Sequence, residues 1–291
     1  MAEPTLIFII DAFTQRYFAG NPAGVCLSKE LLKEERMQEI AREINLSETA
    51  FVVPLDLSSQ EDIARFHIRW FTPEVEVPLC GHATLSTAHV LFNELGLPQN
   101  KITFETLKRG DLYIQKSDDF ILMDFPQGRP EPIRTIPEVI NVLDITDYKV
   151  VEMNFCPIIN KLLIELESPQ DVLDLKPDFT KMRQLREPEN IRGIIVTSKS
   201  EKEKYDFISR HFAPWVGVNE DPVTGSAHTI LGVYWKRKLQ QDEFRAYQAS
   251  SRGGEIKIRI KSSDRIELAG QALTIIKGRI TIPPDSFLTT T

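Results

Sequence analysis

The pattern of hydrophobic and polar positions predicts a mixture of strands and helices. Apolar residues recur at helical spacing from Leu31 to Ile44, and Ser28 is placed to cap this helix. The segment Ala83–Leu95 contains few charges, which is typical of a helix buried on nearly all sides. Segments rich in β-branched and aromatic residues predict strands at Ile7–Phe13, Gly24–Leu27, Ala50–Val53 and Ala64–Trp70.

The later part of the chain repeats this order of elements. The pattern predicts a helix over Ala227–Leu239, preceded by strands at Ile194–Thr197 and Asp206–Phe212 and followed by strands between Phe244 and Ile282. A sheet needs another layer to cover its apolar face. Each half is therefore predicted to be a curved sheet wrapped around one central helix, which is an α+β fold.

Short motifs support an internal duplication. Arg69-Trp70-Phe71-Thr72-Pro73 resembles Arg210-His211-Phe212-Ala213-Pro214. Gly81 and Gly225, which open the two central helices, lie 144 positions apart, and so do Gly110 and Gly254. We therefore expect two homologous lobes, 1–130 and 140–291, related by a pseudo-two-fold axis. The proline-rich stretch 126–137 is the expected connector.

Composition and charge narrow the class of protein. The 291 residues are 42% apolar and 26% charged, which excludes a disordered chain. The net charge of −7 and the lack of a basic run disfavour nucleic acid as a partner. The apolar run 6–10 is too short to span a membrane and has no basic flank, so neither a membrane partner nor a signal peptide is expected. Three widely spaced cysteines favour a reducing, cytoplasmic setting.

The glycines at the two helix starts are candidates for binding an anion. The first N–H groups of a helix have no intrahelical partner and carry a partial positive charge, so they can hold a carboxylate. Two such starts facing one cleft would form a substrate site at Gly81 and Gly225. The alternative is that these glycines only shape tight turns.

Glu48 and His82 are candidates for proton transfer. Glu48 precedes the apolar run 50–53, and burial there would raise its pKa toward the range of a proton shuttle. The alternative is a solvated or capping acid. The second half has no matching acid between Arg192 and Ile194. His82, at a helix N-terminus, is expected to be a neutral imidazole or simply a polar residue that starts the helix.

Asp221 and Ser226 place an acid and a hydroxyl at the start of the second central helix, where they could also serve as a turn residue and a cap. A hydrolase triad of Ser226, His82 and Asp221 is disfavoured because the sequence has no Gly-x-Ser-x-Gly turn. No recognised metal-ligand spacing and no glycine-rich nucleotide loop occurs, so neither a metal nor a cofactor is expected. The other histidines are expected to be structural: His67, His89, His211 and His228.

Four motifs together resemble the PhzF (phenazine-biosynthesis-like) family, over about residues 8–282. They are Phe18-Ala19-Gly20-Asn21-Pro22-Ala23-Gly24-Val25, Asn45-Leu46-Ser47-Glu48-Thr49, Phe71-Thr72-Pro73 through Cys80-Gly81-His82-Ala83-Thr84, and Glu220-Asp221-Pro222-Val223-Thr224-Gly225-Ser226-Ala227-His228. The resemblance implies a diaminopimelate-epimerase-like fold. It also implies a cofactor-free isomerase that moves a proton within a small carboxylate-bearing substrate.

The resemblance also implies roles for individual residues. Glu48 moves the proton, and the other implied catalytic residues are His82, Asp221 and Ser226. The implied substrate-binding residues are Gly81, Gly225, Asn21 and Thr224, of which Asn21 is expected to shape the cleft wall.

Related two-thiol epimerases carry a cysteine before each central-helix glycine. Here Cys80 holds the first of these places and Thr224 the second, and a threonine hydroxyl is too weak an acid to replace a thiol. The sequence therefore favours one carboxylate working on one face of the substrate. A non-catalytic protein that binds a small anion or another protein is the alternative function. A homodimer and a monomer both stay open, and the polar tail 283–291 is expected to fray.

Overall fold

The computed structural model describes residues 5–56, 62–145, 149–186 and 188–281. The chain forms two compact units. The first contains the chain up to Phe18, Pro22–Ile121, and the chain from Gln271 onward; the second contains Ala19–Asn21 and Leu122–Gly270. The polar tail and Ile282, for which fraying and a strand end were predicted, lie outside the described residues.

The first unit combines strands with two principal helices. Its strands are β1 (Thr5–Ala12), β2 (Asn21–Leu27, from Pro22 onward), β3 (Thr49–Asp56), β4 (Ile63–Phe71), β5 (Glu76–Val77), β6 (Lys101–Thr106), β7 (Gly110–Ser117), the first two residues of β8 (Phe120–Pro126) and, at the far end of the chain, β18 (Ala272–Ile280). Its helices are α1 (Glu34–Ile44) and α2 (Gly81–His89), and α2 continues as a π-helical turn, Val90–Glu94.

The second unit has a similar composition. Its strands are the rest of β8, β9 (Glu131–Ile133), β10 (Val150–Cys156), β11 (Lys161–Leu166), β12 (Gly193–Lys199), β13 (Phe207–Ala213), β14 (Val218–Glu220), β15 (Glu243–Gln248), β16 (Gly254–Ile260) and β17 (Arg265–Gly270). Its helices are α3 (Pro137–Leu143), α4 (Pro169–Asp174), α5 (Phe179–Met182) and α6 (Gly225–Leu239), with a 3-10 turn at Pro214–Val216.

The two units pair their strands in the same order. In the first unit β2 runs parallel to β3, β3 antiparallel to β4, β4 parallel to β6, and β6 antiparallel to β7. In the second unit β11, β12, β13, β15 and β16 repeat this sequence of parallel and antiparallel pairs. The repeated topology supports the duplication that the short motifs predict.

The central helices are buried, as the few charges in their sequences predict. In α2 every residue from His82 to His89 is buried, and the helix contacts β1, β3 and β18. The predicted helix 83–95 therefore exists, but it begins at Gly81 and its last turn is π-helical. In the second unit α6 contacts β16 and β17, and most of its residues up to Trp235 are buried. No described helix is long and apolar enough to cross a membrane.

The duplicated arginines share two contacts. Arg69 Nε donates to Glu76 Oε1 at 2.7 Å, and Arg210 Nε donates to Glu220 Oε1 at 2.7 Å. Each guanidinium also lies over the ring of the phenylalanine two positions later, at 5.2 Å in the first unit and 4.9 Å in the second. The motif therefore marks an ion pair that braces the strand leading to each central helix.

Two sequence predictions about local structure are wrong. Ser28 does not cap α1, which begins after Lys33, because the Ser28 hydroxyl donates instead to the carbonyl of Glu30. The stretch 126–137 is not an irregular connector, because it contains β9 and ends at the first residue of α3. Proline is tolerated in a short strand and in the first turn of a helix, which is where Pro132 and Pro137 lie.

The lobe bounds 1–130 and 140–291 stay a prediction about the duplication. Packing divides the chain differently, because β18 pairs antiparallel with β1 and returns the last described strand to the first unit. The segment Ala19–Asn21 likewise clusters with the second unit.

Candidate functional site

The start of α2 presents N–H groups that its own N-cap residue does not satisfy. Cys80 is the N-cap residue, in an extended conformation, and its side chain makes no capping hydrogen bond. Its thiol instead lies 3.4 Å from Nδ1 of His82. The first intrahelical bond runs from the N–H of Thr84 to the carbonyl of Cys80. Gly81, at the first helical position, lets a ligand approach this positive end closely.

The Glu48 carboxylate lies beside this helix start. Its Oε2 is 3.3 Å from Nε2 of His82, and the Ser47 hydroxyl is also 3.3 Å from the same nitrogen. The His82 side chain is 7% exposed and that of Glu48 is 21% exposed, so the carboxylate is largely shielded from solvent but still accessible to it. The structure therefore brings together the Glu48 and His82 that the sequence singled out.

The imidazole links two groups that can exchange protons. When His82 Nε2–H donates to the Glu48 carboxylate, Nδ1 can accept from the Cys80 thiol. When Glu48 is protonated, it can donate to Nε2, and Nδ1–H then points at the sulfur. Both arrangements keep the ring hydrogen-bonded, so the carboxylate can gain and lose a proton without moving its neighbours.

The same three residues are types that bind metals. One ligand atom from each of Glu48, Cys80 and His82 lies within 4.8 Å of the others, which is close enough to surround an ion. The sequence did not predict this set, because its members come from two separated segments. Each ring nitrogen of His82 already faces one of the other two side chains, and one ion can take only one of those nitrogens.

The start of α6 is organised around Asp221. Its Oδ1 accepts a hydrogen bond of 2.8 Å from Asn21 Nδ2, and its Oδ2 accepts a short bond from the Thr224 hydroxyl. Asn21 Nδ2 also donates to the carbonyl of Val223 at 2.9 Å, and the side chain of Asn21 is fully buried. Thr224 is the N-cap residue of α6. Because its hydroxyl donates to the Asp221 carboxylate, it does not cap the N–H groups from Gly225 onward.

His211 and Gln248 complete this cluster, and neither was predicted to be part of the site. His211 Nδ1 lies 3.0 Å from the Thr224 hydroxyl, whose own proton goes to Asp221, so the imidazole is the donor. Gln248 accepts from the Thr224 N–H at 2.9 Å and donates to the Asp221 carbonyl at 2.7 Å. Burial holds the pKa of His211 well below its usual range, so the ring is neutral.

Ser226 contacts a lysine that the sequence analysis missed. Lys161, the first residue of β11, is 9% exposed, and its Nζ donates to the Ser226 hydroxyl at 2.9 Å. Burial lowers the pKa of Lys161 from 10.5 to about 8. One signal was available, because this lysine opens the otherwise apolar run Leu162–Ile164 in a strand with a parallel partner, where a charge is unusual.

The candidate residues therefore form two groups, one in each unit. Glu48, Gly81 and His82 lie together in the first unit. The second unit holds Asn21, Asp221, Thr224, Gly225 and Ser226.

An open cavity of about 520 Å³ lies elsewhere in the first unit. It is lined by Asn93, Lys116 and the segments 14–15, 118–121 and 271–273. None of these described lining residues belongs to the candidate set, so volume alone does not identify the site.

Comparison with known proteins finds similar sequences along most of this chain. The family model described as phenazine biosynthesis-like protein, PhzC-PhzF, matches residues 10–278. A rat phenazine biosynthesis-like domain-containing protein is 42% identical over 287 residues, which cover 94% of this chain and 98% of the relative. An uncharacterized isomerase of Halalkalibacterium halodurans is 45% identical over 278 residues, covering 95% of this chain and 98% of the relative.

Solved structures with a similar fold include both family members and more distant proteins. A PhzF-family phenazine biosynthesis protein of Enterococcus faecalis superposes with a TM-score of 0.87 at 37% identity, covering 96% of this chain and all of the other. A probable proline racemase of Agrobacterium radiobacter K84, solved with bound carbonate, has a TM-score of 0.61 at 10% identity, covering 98% and 95% of the two chains. A hydroxyproline epimerase of Agrobacterium vitis, solved with bound trans-4-hydroxy-L-proline, has a TM-score of 0.59 at 11% identity, covering 97% and 94%. At such identities the last two show the fold alone, which is of the diaminopimelate-epimerase type. From residue 10 to residue 278, this chain belongs to the PhzC-PhzF family of phenazine biosynthesis-like proteins.

Proposed function

We propose that this chain is a cofactor-independent isomerase in which Glu48 moves a proton within a small carboxylate-bearing substrate. The observation that carries the proposal is the position of the Glu48 carboxylate, 3.3 Å from His82 Nε2 at the start of α2. A partly screened carboxylate next to an imidazole and a positive helix end is suited to general acid–base chemistry. The isomerase among the relatives supports this class of reaction.

The proposed reaction balances without an oxidant or a reductant. Glu48 accepts a proton from a carbon acidified by a neighbouring double bond or carboxylate, and the electron pair of the broken C–H bond enters the π system. Glu48 then returns the proton to a second carbon on the same face. In the second unit, the N–H groups at the start of α6, beginning at Gly225, and the Ser226 hydroxyl are suited to hold a substrate carboxylate. In the first unit, the N–H groups at the start of α2, beginning at Gly81, offer the same kind of donor beside Glu48.

His82 and Asp221 have supporting roles in this proposal. His82 positions the Glu48 carboxylate and donates to it when it is charged. Asp221 is fixed by Asn21 and Thr224, which makes it a rigid acceptor for a substrate hydroxyl or amine. Closure around the substrate would exclude water and strengthen these interactions.

The second helix start supports a mechanism with a single base. A two-base racemase needs a second proton acceptor at the position of Thr224. The Thr224 hydroxyl instead donates to Asp221 and accepts from His211, so its hydrogen-bonding capacity is committed. A hydroxyl is also far too weak an acid to replace a thiol. Proton removal and return on one face by Glu48 is therefore favoured.

The test is proton exchange with solvent. A panel of β,γ-unsaturated carboxylic acids is incubated with the protein in D2O, and loss of carbon-bound protons is followed by ¹H NMR. Glu48→Gln keeps the shape of the side chain but removes the base, so exchange should fall by about 10²- to 10⁴-fold. Circular dichroism and the Tm should stay close to those of the wild type.

Glu43→Gln, on the exposed face of α1, is the matched control and should exchange at the wild-type rate. Wild-type exchange that persists in Glu48→Gln would remove Glu48 from the mechanism. A wild-type protein that exchanges no proton of any acid in the panel contradicts the isomerase proposal.

A further inference from the structure

Lys161 is a buried cation that the proposed reaction does not yet use. It lies at the first position of β11, beneath the start of α6, and only 9% of its surface is exposed. Its Nζ makes one hydrogen bond, of 2.9 Å, to the Ser226 hydroxyl. An ammonium group has three donors, so two remain for another partner.

No carboxylate among the described residues forms an ion pair with Lys161 within 4.0 Å. The charged and titratable groups around it come from several elements. Asp221 favours the charged form of the ammonium and Cys156 does so more weakly, whereas Arg192 disfavours it. His211 and His228 also face it, and burial keeps the pKa of each low enough that both rings are neutral at pH 7. The ammonium is therefore desolvated without a bound counter-ion, and a buried charge is costly in that state.

The lysine and the helix start point to one ligand chemistry. Ser226 is the second residue of the 15-residue helix α6 and is exposed, so its hydrogen bond to Lys161 brings a buried ammonium to the exposed start of this helix. A positive helix end and an ammonium both favour an anion. A carboxylate placed there would accept from the N–H groups of α6 and give Lys161 its missing counter-ion.

We propose that Lys161, through Ser226 and the first N–H groups of α6, binds a carboxylate of the substrate and is the residue that restricts this site to anions. This inference rests on the proposed function for the identity of the ligand, but not on Glu48. Lys161 is a binding residue and takes no part in the proton transfer.

The test measures binding of a simple probe. Sodium acetate is titrated into ¹⁵N-labelled protein at pH 7 and constant ionic strength, and the amide shifts of Gly225 and Ser226 are followed by NMR. Lys161→Met should raise the dissociation constant by roughly tenfold or more, since a charge-assisted hydrogen bond is lost. Lys176→Met, which removes an exposed lysine of the same unit, is the matched control and should bind as the wild type does.

A second readout separates binding from a structural role. Methionine has a similar volume and no charge to desolvate. Lys161→Met should therefore keep or raise the Tm while its affinity for acetate falls. Unchanged acetate affinity in Lys161→Met, or an equal loss in Lys176→Met, overturns the proposal. Inorganic phosphate serves as a second probe, and binding of phosphate without acetate overturns the carboxylate assignment.

The pH dependence of the wild type decides the question if Lys161→Met fails to fold. The pKa of Lys161 is about 8, so acetate affinity should fall as the pH rises above that value. Affinity that stays constant between pH 7 and pH 9.5 overturns the proposal. If no isomerisation is found but acetate binds through Lys161, the proposed reaction fails and the anion site stands.

Discussion

The two units carry the same framework but place different charged residues in equivalent strands: Glu48 precedes β3 in the first unit, and Lys161 opens β11 in the second. Phe71 of the first unit and Phe212 of the second belong to the duplicated motif, and they pair with Thr49 and Ile194 respectively. This register makes Glu48 the counterpart of Gly193. The first unit therefore places a carboxylate where the second has no side chain.

The opposite exchange occurs on the neighbouring strand. Thr49 pairs with Gly24 and Ile194 with Leu162, so Lys161 is the counterpart of Ala23. Ala23 is fully buried and apolar, whereas Lys161 is a buried cation. One unit therefore carries a carboxylate and the other a buried ammonium at positions that the strand register makes equivalent to a glycine and an alanine. Under the two proposals above, proton transfer and anion binding would be divided between the two units.

The ion pairs Arg69–Glu76 and Arg210–Glu220, which we call the braces of the two units, provide the largest expected effect on stability. Arg69→Met and Arg210→Met each leave a partly buried glutamate without its partner, which should cost about 3 kcal/mol or more. Each arginine also has further bonds to lose: Arg210 donates to the carbonyls of Val172 and Leu175 at 3.2 and 2.9 Å, and Arg69 donates to Glu34 at 2.6 Å, so the two losses should be similar. Urea unfolding measures both.

The control for the braces is Arg259→Met, whose ion pair is exposed on both sides and should contribute at most about 1 kcal/mol. If Arg69→Met or Arg210→Met unfolds at the urea concentration of Arg259→Met, that ion pair contributes no more than an exposed one and the prediction is wrong.

Lys161 should make the free energy of unfolding depend on pH above about pH 8. The pKa of Lys161 is about 8 in the folded chain, against 10.5 when it is exposed. The unfolded chain thus holds more protons between these values, so stability should rise as the pH increases from about 8 to 10.5, by roughly 3 kcal/mol from this group. Unfolding of the wild type and Lys161→Met at several pH values measures the difference.

Lys161→Met should lack that rise, since no buried amine remains to lose its proton. Lys176→Met should retain it. A wild-type curve that runs parallel to that of Lys161→Met across this pH range would show that the ammonium is not desolvated.

The smallest expected effect concerns the glycine that replaces Glu48 in the second unit. A Cβ on Gly193 would lie 2.5 Å from Nε2 of His211, which is 3% exposed and tied to Thr224. Gly193→Ala should therefore destabilise the chain by about 1–3 kcal/mol through overpacking. Thermal unfolding measures the change.

Gly278→Ala is the control, because its Cβ would meet only an ordinary contact with Ile7 at 3.6 Å. A Tm for Gly193→Ala that matches this control would mean that His211 can move aside. In that case the second unit could accommodate a carboxylate at the position of Glu48.

Much of the fold could be predicted from the sequence because strong local patterns carry it. The two central helices, the strands that precede them and the glycines at their starts follow from composition and from motifs repeated at one spacing. The cap of α1 could not be predicted, because Ser28 satisfies its hydroxyl within a turn and the helix begins six residues later.

The site was predicted in part for a similar reason. Glu48 and His82 stand next to recognisable motifs, whereas Lys161 follows an ordinary turn and resembles a surface lysine. Its proximity to Ser226 arises only when β11 packs beneath α6, across 65 positions of sequence. His211 was predicted to be structural, and its contact with Thr224 likewise depends on the fold of the second unit.

The pairing of β1 with β18 has a consequence for biosynthesis. Thr5 pairs with Ile280, so β1, the first strand of the first unit, pairs with a strand that is synthesised more than 200 residues later. Within the second unit, the described strand pairs lie between Leu122 and Gly270 and can form earlier during translation. Domains generally fold as units. The unit translated first is therefore the last to be completed, and the edge of β1 that β18 covers stays unpaired with it until then.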